Sequence, residues 1–164
     1  MKKLVMMAAI AALLAAGPAG AAAAAETPNP GFDKLKNLVG AWETKDENGK
    51  PFAVTYRMVS GDSAMVEEME NGMISVYHPD DAAVMMTHYC MAKNQPRMRA
   101  TGLSKDGNKL NFKFVDATNA SASSMGMMNH LKITFLDADH FTEEWTNSKD
   151  GKETPWTFNF TRKK

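Results

Sequence analysis

The residues best suited to chemistry lie together in one short stretch, Met86 to Met98, which reads MTHYCMAKNQPRM. It holds the only cysteine of the chain, Cys90, and one of its four histidines, His88. Two positions apart on an extended strand, these side chains share a face, with Cα atoms roughly 6.5 Å apart. A thiolate, an imidazole and methionine thioethers would together suit a soft ion such as Cu(I).

A second segment could complete such a metal site. The sequence from Ala117 to Met128 predicts a long loop that ends in the methionines Met125, Met127 and Met128, and His130 follows it. The chain lacks the paired ligand spacings, such as Cys-x-x-Cys, that mark zinc sites. Because methionine is also a common filler of cores and adaptable pockets, the plainer interpretation is a core or pocket lining.

Catalysis by the same pair is a third interpretation. A cysteine nucleophile needs a lowered thiol pKa and a base held by a further group. The sequence shows no such group beside Cys90, and a mid-strand cysteine with apolar neighbours is typical of an inert small hydrophobe. We therefore assign no catalytic residue and expect a protein that is not an enzyme.

The elements that must position these residues are β-strands. From Val39 onward, apolar residues recur with a period of two, and short turns such as Asn71-Gly72 separate the runs. The predicted strands span Val39–Thr44, Phe52–Val59, Ala64–Glu70, Met73–His78, Ala82–Met91, Arg97–Ser104, Lys109–Asp116, Asn129–Leu136, His140–Thr146 and Pro155–Arg162. We predict an all-β fold, an antiparallel up-and-down meander of about eight to ten strands closed into a barrel.

A short helical turn is predicted before the first strand. Leu35 and Leu38 are three residues apart within Phe32–Leu38, and Asp33 stands where an N-cap belongs. This turn would lead directly into the barrel.

Two acidic residues interrupt the apolar stripes that would face the barrel interior. Glu67 lies between two methionines of one strand face, and Glu143 lies between Phe141 and Trp145 of another. Because a lone buried carboxylate is costly, each would need a partner or a polar cavity. Arg97 and Arg99 share a strand face and are candidate partners; alternatively, a one-residue register shift would turn the two carboxyls to solvent.

The start of the chain predicts export. Lys2 and Lys3 precede an apolar run that is too short to span a bilayer, and small residues follow, as in a secretory signal peptide. The predicted organisation is a signal peptide over residues 1–25, a tether over 26–31 and one domain over 32–164. The lysine pair and the alanine-rich leader are typical of bacterial export signals, so we expect a periplasmic or secreted protein with no membrane span after cleavage.

Charge and cysteine content exclude some classes of protein. The chain has equal numbers of acidic and basic residues, and cleavage would leave a net charge of about −2. A near-neutral chain argues against nucleic acid as a partner, because phosphate binding needs a basic patch. A single cysteine excludes an internal disulfide framework.

The stretch FDKLKNLVGAWET carries a family resemblance. A short helical turn that runs into Gly40-Ala41-Trp42 at the first strand resembles the Gly-x-Trp signature of lipocalin-like, or calycin, barrels. More narrowly, the chain resembles exported bacterial lipocalin-like proteins grouped as a domain of unknown function. The resemblance implies that a basic residue at the end of the last strand, here Arg162, stacks on Trp42 and closes the barrel end.

The resemblance also implies a function, since such barrels usually hold a small, apolar or amphipathic molecule. The candidate lining residues are Tyr56, Glu67, Met86, His88, Cys90, Arg97, Arg99 and Glu143. Two alternatives stay open. One is a haem or copper protein that uses His88, Cys90, His130 or methionines as ligands; the other is a structural or interaction module without a ligand. Oligomeric state is left unassigned.

Overall fold

The computed structural model describes residues 27–46, 48–122 and 124–164. The predicted signal peptide, residues 1–25, therefore lies outside the described residues. The chain begins with helix α1 (Pro30–Lys36) and continues as a meander of strands. The strands are β1 (Gly40–Lys45), β2 (Pro51–Val59), β3 (Ala64–Met69), β4 (Ile74–Asp80), β5 (Ala83–Tyr89), β6 (Gln95–Ala100), β7 (Lys109–Thr118), β8 (Met127–Phe135), β9 (His140–Lys149) and β10 (Lys152–Arg162).

The ten strands form one closed antiparallel barrel in which every strand pairs with its sequence neighbour. β1 and β10 close the barrel through the pairs Trp42↔Arg162 and Glu43↔Thr161. Because the sheet is closed, none of these ten strands presents an unpaired edge to which another chain could add. The predicted all-β, up-and-down barrel is confirmed, at the upper end of the expected strand count.

The helix differs from its prediction at the N-terminus. The N-cap is Asn29 rather than Asp33: its side-chain oxygen accepts a hydrogen bond from the Phe32 backbone N–H, 2.8 Å away. Pro30 then occupies the first turn, where a missing N–H costs nothing. The predicted tether thus contributes its last two residues, Pro30 and Gly31, to α1.

The long loop is also shorter than predicted. β7 continues to Thr118 and β8 starts at Met127, so the connection spans residues 119–126 and includes a 3-10 turn at Ala120–Ala122. The bounds of β6 also differ from the prediction: the strand spans Gln95–Ala100, so it begins and ends earlier than the predicted Arg97–Ser104. Turn residues that read as loop in the sequence can thus still pair along a strand.

Helix α1 covers one end of the barrel, which we call the closed end. The Asn29 side-chain amide donates to the backbone carbonyls of Asp81 and Ala83, which ties the start of the helix to the turn between β4 and β5. Phe32, Leu35 and Leu38 are buried in the same apolar core as Trp42. The opposite end, formed by the turns after β1, β3, β5, β7 and β9, is the open end. No helix in the described part of the chain is long and apolar enough to cross a membrane.

Gly40 and Arg162 complete the closed end. The Arg162 guanidinium lies over the Trp42 ring at 4.1 Å, as the family resemblance implied, and donates to the carbonyls of Asn37, Val39 and Ala138. Gly40 has φ +127°, and a Cβ there would meet the Arg162 guanidinium nitrogen at 3.1 Å. The glycine is therefore required by both its backbone conformation and the close approach of the arginine.

Candidate functional site

Three neighbouring strands place polar side chains at one level of the barrel interior. On the sheet, Ser75 of β4 lies directly between its cross-strand partners Glu67 of β3 and His88 of β5. Tyr56 of β2 pairs with Glu67 on the other side. Since directly paired residues point to the same face, the inward position of one fixes the inward position of all four.

A cavity of about 650 Å³ extends from the open end of the barrel to this level. Glu67, His88 and Glu143 line its inner end, and we call these three residues the polar floor. Aromatic side chains from β2, β9 and β10, including Phe52, Trp145, Trp156 and Phe158, and methionines such as Met128 form its walls. Lys45, Asp46, Lys50 and Glu70 surround its mouth, so the charges there balance.

Glu143 is held by two donors inside the barrel. The Tyr56 hydroxyl donates to Oε1 at 2.7 Å, and the Trp145 indole N–H donates to Oε2 at 2.9 Å. Burial raises the pKa of Glu143 to about 6, while the two donors act in the opposite direction because they stabilise the ionised form. Glu143 thus stays the more acidic of the two buried carboxyls.

Glu67 is less well satisfied. The Tyr77 hydroxyl donates to Oε2 at 2.8 Å, but Oε1 is buried with no hydrogen-bond partner in the described part of the chain. Burial and the nearby charge of Glu143 raise the pKa of Glu67 well above its usual value, against the opposing effect of the hydroxyls of Tyr77, Ser75 and Tyr56. Glu67 is therefore the group that binds a proton first.

His88 is buried beside Trp145, with ring centroids 4.9 Å apart. Its Nδ1 lies 3.0 Å from Ser75 Oγ, and its Nε2, also buried, finds no partner among the described residues. Burial lowers the pKa of His88 to about 4, so the imidazole is neutral near pH 7. The polar floor therefore combines two acids with one neutral base.

The predicted inward orientation of the two arginines is wrong. Arg97 is exposed and forms a bidentate ion pair with Asp116 of β7, and Arg99 pairs with Asp80 of β4. The reason is register: Pro96, Met98 and Ala100 are the buried residues of β6, so the odd-numbered positions point outward. The alternative in which Glu67 and Glu143 face solvent is wrong as well.

The other predicted site residues separate into core, turn and wall. Tyr56 and Met86 are buried in the packed core, although the Tyr56 hydroxyl reaches the polar floor. Cys90 lies past the end of β5, in the turn whose backbone bond joins Lys93 N–H to the Cys90 carbonyl. His130 is half-buried on β8, where it pairs with Lys113 and Thr146.

Of the predicted copper ligands, His88 and Met128 line the cavity, and Cys90 does not. Across the described ranges, no cluster of three or more histidine, cysteine, aspartate or glutamate side chains has the geometry to hold a metal ion. Cys90 is a free thiol, half-buried in its turn. Strand alternation placed Cys90 on the same face as His88, but the strand ends before it.

Sequence reasoning missed Ser75, Tyr77 and Trp145 as partners of the polar floor. Ser75 and Tyr77 are two residues apart on β4 and pair across the sheet with Glu67 and Met65. Alternation alone would have put both on the inward face once the register of Glu67 was known. Trp145 was visible as the neighbour of Glu143 on one strand face.

Two comparisons with known proteins were made at the level of sequence. No family model matches the chain, and no curated protein matches it. The closed ten-stranded antiparallel barrel is compatible with the lipocalin-like fold that the Gly40-Ala41-Trp42 motif suggested. The functional argument therefore depends on the cavity and its floor.

Proposed function

We propose that this protein is an exported barrel that binds a small, mostly apolar or amphipathic molecule in its interior. One observation carries the proposal: a cavity of about 650 Å³ with aromatic and methionine walls that ends at buried polar groups. Ligand cavities commonly hold roughly 300–1,000 Å³ and combine apolar walls with a few polar groups that orient the ligand. Methionines in the wall would let it adapt to the ligand.

The unpartnered atoms of the polar floor support the same function. Buried polar atoms in native proteins almost always have a hydrogen-bond partner. Within the described residues, Glu67 Oε1 and His88 Nε2 have none, and both side chains line the inner end of the cavity. A polar group of a ligand would satisfy them, whereas a barrel that served only as a rigid module would gain nothing from them.

Native mass spectrometry of the protein isolated from its own cellular compartment tests this function. We expect a mass above that of the polypeptide, from a retained small molecule. Protein stripped of ligand should then bind a neutral fluorescent probe, N-phenyl-1-naphthylamine, which brightens in apolar surroundings. A bare polypeptide mass together with no probe binding would contradict the proposal and favour an interaction module.

A cavity-filling variant locates the binding. Met128→Trp adds a large side chain to the wall and should abolish most probe binding, because the ligand and the indole would compete for one volume. Val115→Trp is the matched control, since Val115 is half-exposed on β7 and does not line the cavity. Equal probe binding by both variants would place the probe elsewhere.

Export is a separate part of the proposal. It is supported by the sequence alone, through Lys2, Lys3 and the apolar run that follows. Fractionation of the source cells should find the protein outside the cytoplasm, with a mature N-terminus close to Glu26. A full-length chain in the cytoplasm would contradict it.

Haem binding is a second candidate function, and the observation that favours it is the unpartnered Nε2 of His88. A neutral imidazole whose Nε2 lies buried beside a large apolar cavity is suited to be an axial ligand of haem iron. His88 would bind the iron, Ser75 would orient the imidazole through Nδ1, and the aromatic walls would cover the porphyrin. Reconstitution with hemin should give a Soret band that is lost in His88→Ala. A Soret band of the same intensity in this variant would contradict haem binding through His88.

A further inference from the structure

The polar floor carries a negative charge that no cation of the described residues neutralises. Glu67 and Glu143 are 0% and 1% exposed. The ion pairs of the described part of the chain, including those of Arg97 and Arg99, lie on the outer surface and involve neither carboxyl. A charge buried away from water without a counterion is costly, so this arrangement is unusual unless something else supplies the positive charge.

The hydrogen bonds show which carboxyl carries that charge. Both oxygens of Glu143 accept hydrogen bonds, one from the Tyr56 hydroxyl and one from the Trp145 indole N–H. Donors to both oxygens stabilise a carboxylate over the protonated acid. Glu143 is thus held ready as an anion in a low-dielectric interior, where its attraction for a cation is stronger than in water.

The remaining free atoms of the floor can act as acceptors. Ser75 lies between Glu67 and His88 on the sheet, so its hydroxyl is within reach of the imidazole. Its Oγ lies 3.0 Å from His88 Nδ1 and accepts from it when the imidazole proton is on Nδ1. With the proton on Nδ1, His88 Nε2 is an acceptor, and Glu67 Oε1 is an acceptor once Glu67 is ionised.

From this geometry we infer that the ligand of the cavity is an amphipathic amine whose ammonium group lies on the polar floor among Glu67, His88 and Glu143. The inference rests on the proposed binding function and names its ligand class. An ammonium group has three donors and no acceptor, which complements two carboxyls and an imidazole Nε2. The face of Trp145, beside His88, adds a favourable surface for a cation. A carboxylate ligand would instead meet like charge.

Binding of such an amine is linked to a proton. The groups that face Glu67 are Tyr56 on β2, Ser75 and Tyr77 on β4, His88 on β5 and Glu143 on β9, and none of them is cationic near pH 7. The protonated Glu67 carboxyl releases its proton to solvent as the ammonium group arrives, and no covalent bond changes. Amine affinity should therefore increase as the pH rises, while the affinity for a neutral alcohol should not change.

Displacement of N-phenyl-1-naphthylamine by three probes with the same chain tests the inference: octylamine, octanol and octanoate at about pH 7.5. We expect octylamine to displace the dye at a concentration about tenfold lower than octanol, with octanoate the weakest, since a desolvated ion pair is worth this much or more. Octanol or octanoate equal to octylamine, or displacement by none of the three, would overturn the inference and leave the binding function standing. Absence of dye binding itself would instead reject the binding function.

Two variants and a pH shift show whether the floor is responsible. Glu67→Gln and Glu143→Gln should each remove most of the preference for octylamine over octanol, and lowering the pH from about 7.5 to about 5 should do the same to the wild type. Glu68→Gln is the matched control, because Glu68 faces outward on β3 and pairs with Arg57. An unchanged preference in both floor variants, with octanol binding retained as proof of folding, would contradict the inference.

Discussion

At the closed end of the barrel, the Arg162 side chain donates to three backbone carbonyls and covers Trp42, whereas the polar floor leaves Glu67 Oε1 and His88 Nε2 buried without a partner among the described residues. The two regions are built on the same ten strands, one at the partly exposed closed end and the other inside the barrel. They differ in whether the chain itself supplies hydrogen-bond partners for their polar atoms. A satisfied region contributes stability, and an unsatisfied one keeps binding capacity for another molecule.

The two regions also differ in packing. At the closed end, Trp42 packs edge-on against Phe141 at 4.7 Å, and Phe141 stacks on Phe160 at 4.4 Å. Towards the open end, the aromatic side chains surround a cavity of about 650 Å³. The described side chains that line this cavity face open space instead of one another. Substitutions in the two regions should therefore have different effects on stability.

The largest effect is expected at Trp42. Trp42→Ala would leave a large void, remove the ring under Arg162 and remove the hydrogen bond from Nε1 to the Leu38 carbonyl. We expect a loss of about 3–5 kcal/mol in the free energy of unfolding, measured by urea denaturation. Trp156→Ala, in the half-buried cavity wall, should cost clearly less. Equal losses would mean that the two ends are packed alike.

The next effect is the acid dependence due to His88. Its pKa falls from 6.5 to about 4 on folding, so the unfolded chain takes up a proton first and the wild type loses stability as the pH falls from about 6.5 to 4. The full loss corresponds to about 3 kcal/mol. Urea denaturation of His88→Asn should lack this part of the acid slope. His78→Asn, at an exposed histidine, is the control and should keep it.

Glu143 should produce a smaller effect of opposite sign. Its pKa rises from 4.5 to about 6 on folding, so its contribution is complete below about pH 4.5 and is lost as the pH rises through 6. Relative to Glu143→Gln, the wild type should lose about 2 kcal/mol across this range. Glu144→Gln, which removes a surface partner of Lys132, should not change the slope. A pH-independent difference would show that Glu143 does not titrate in the barrel.

The smallest effect is expected at the surface arginine. Arg97→Ala removes a solvent-exposed ion pair with Asp116 and should cost less than about 1 kcal/mol. Octylamine and octanol should displace the dye from this variant as from the wild type. If octylamine and octanol displaced the dye in a different ratio from this variant, Arg97 would affect the cavity. The surface ion pairs would then not be independent of the charge on the polar floor.

Much of the barrel was predictable because its signals are local. Alternation and turn residues predicted ten strands near their observed positions, from β1 to β10. The boundaries shifted where turn residues continue to pair, as at Thr118 and Met127. The helix was predicted over Phe32–Leu38 and lies two residues earlier, over Pro30–Lys36, because Asn29 rather than Asp33 caps it.

The site was only half predictable. Glu67, His88 and Glu143 stood out as polar residues on apolar strand faces, and the structure places all three at one cavity. Arg97, Arg99 and Cys90 failed for physical reasons: β6 has the opposite face inward, and β5 ends before the cysteine. The alternation of side chains along these strands was predicted correctly. Alternation alone, however, does not show which of the two faces is buried.

By itself, the sequence determined the class of the fold and the order of its strands, because hydrophobic period and turn chemistry act over a few residues. The contact of Arg162 with Trp42 was implied only by the family resemblance of Gly40-Ala41-Trp42. Only the tertiary structure decided which faces point inward, that Ser75 lies between Glu67 and His88, and that no described cation reaches Glu143. Register across ten strands sets these contacts, and a shift of one residue would reverse every one of them.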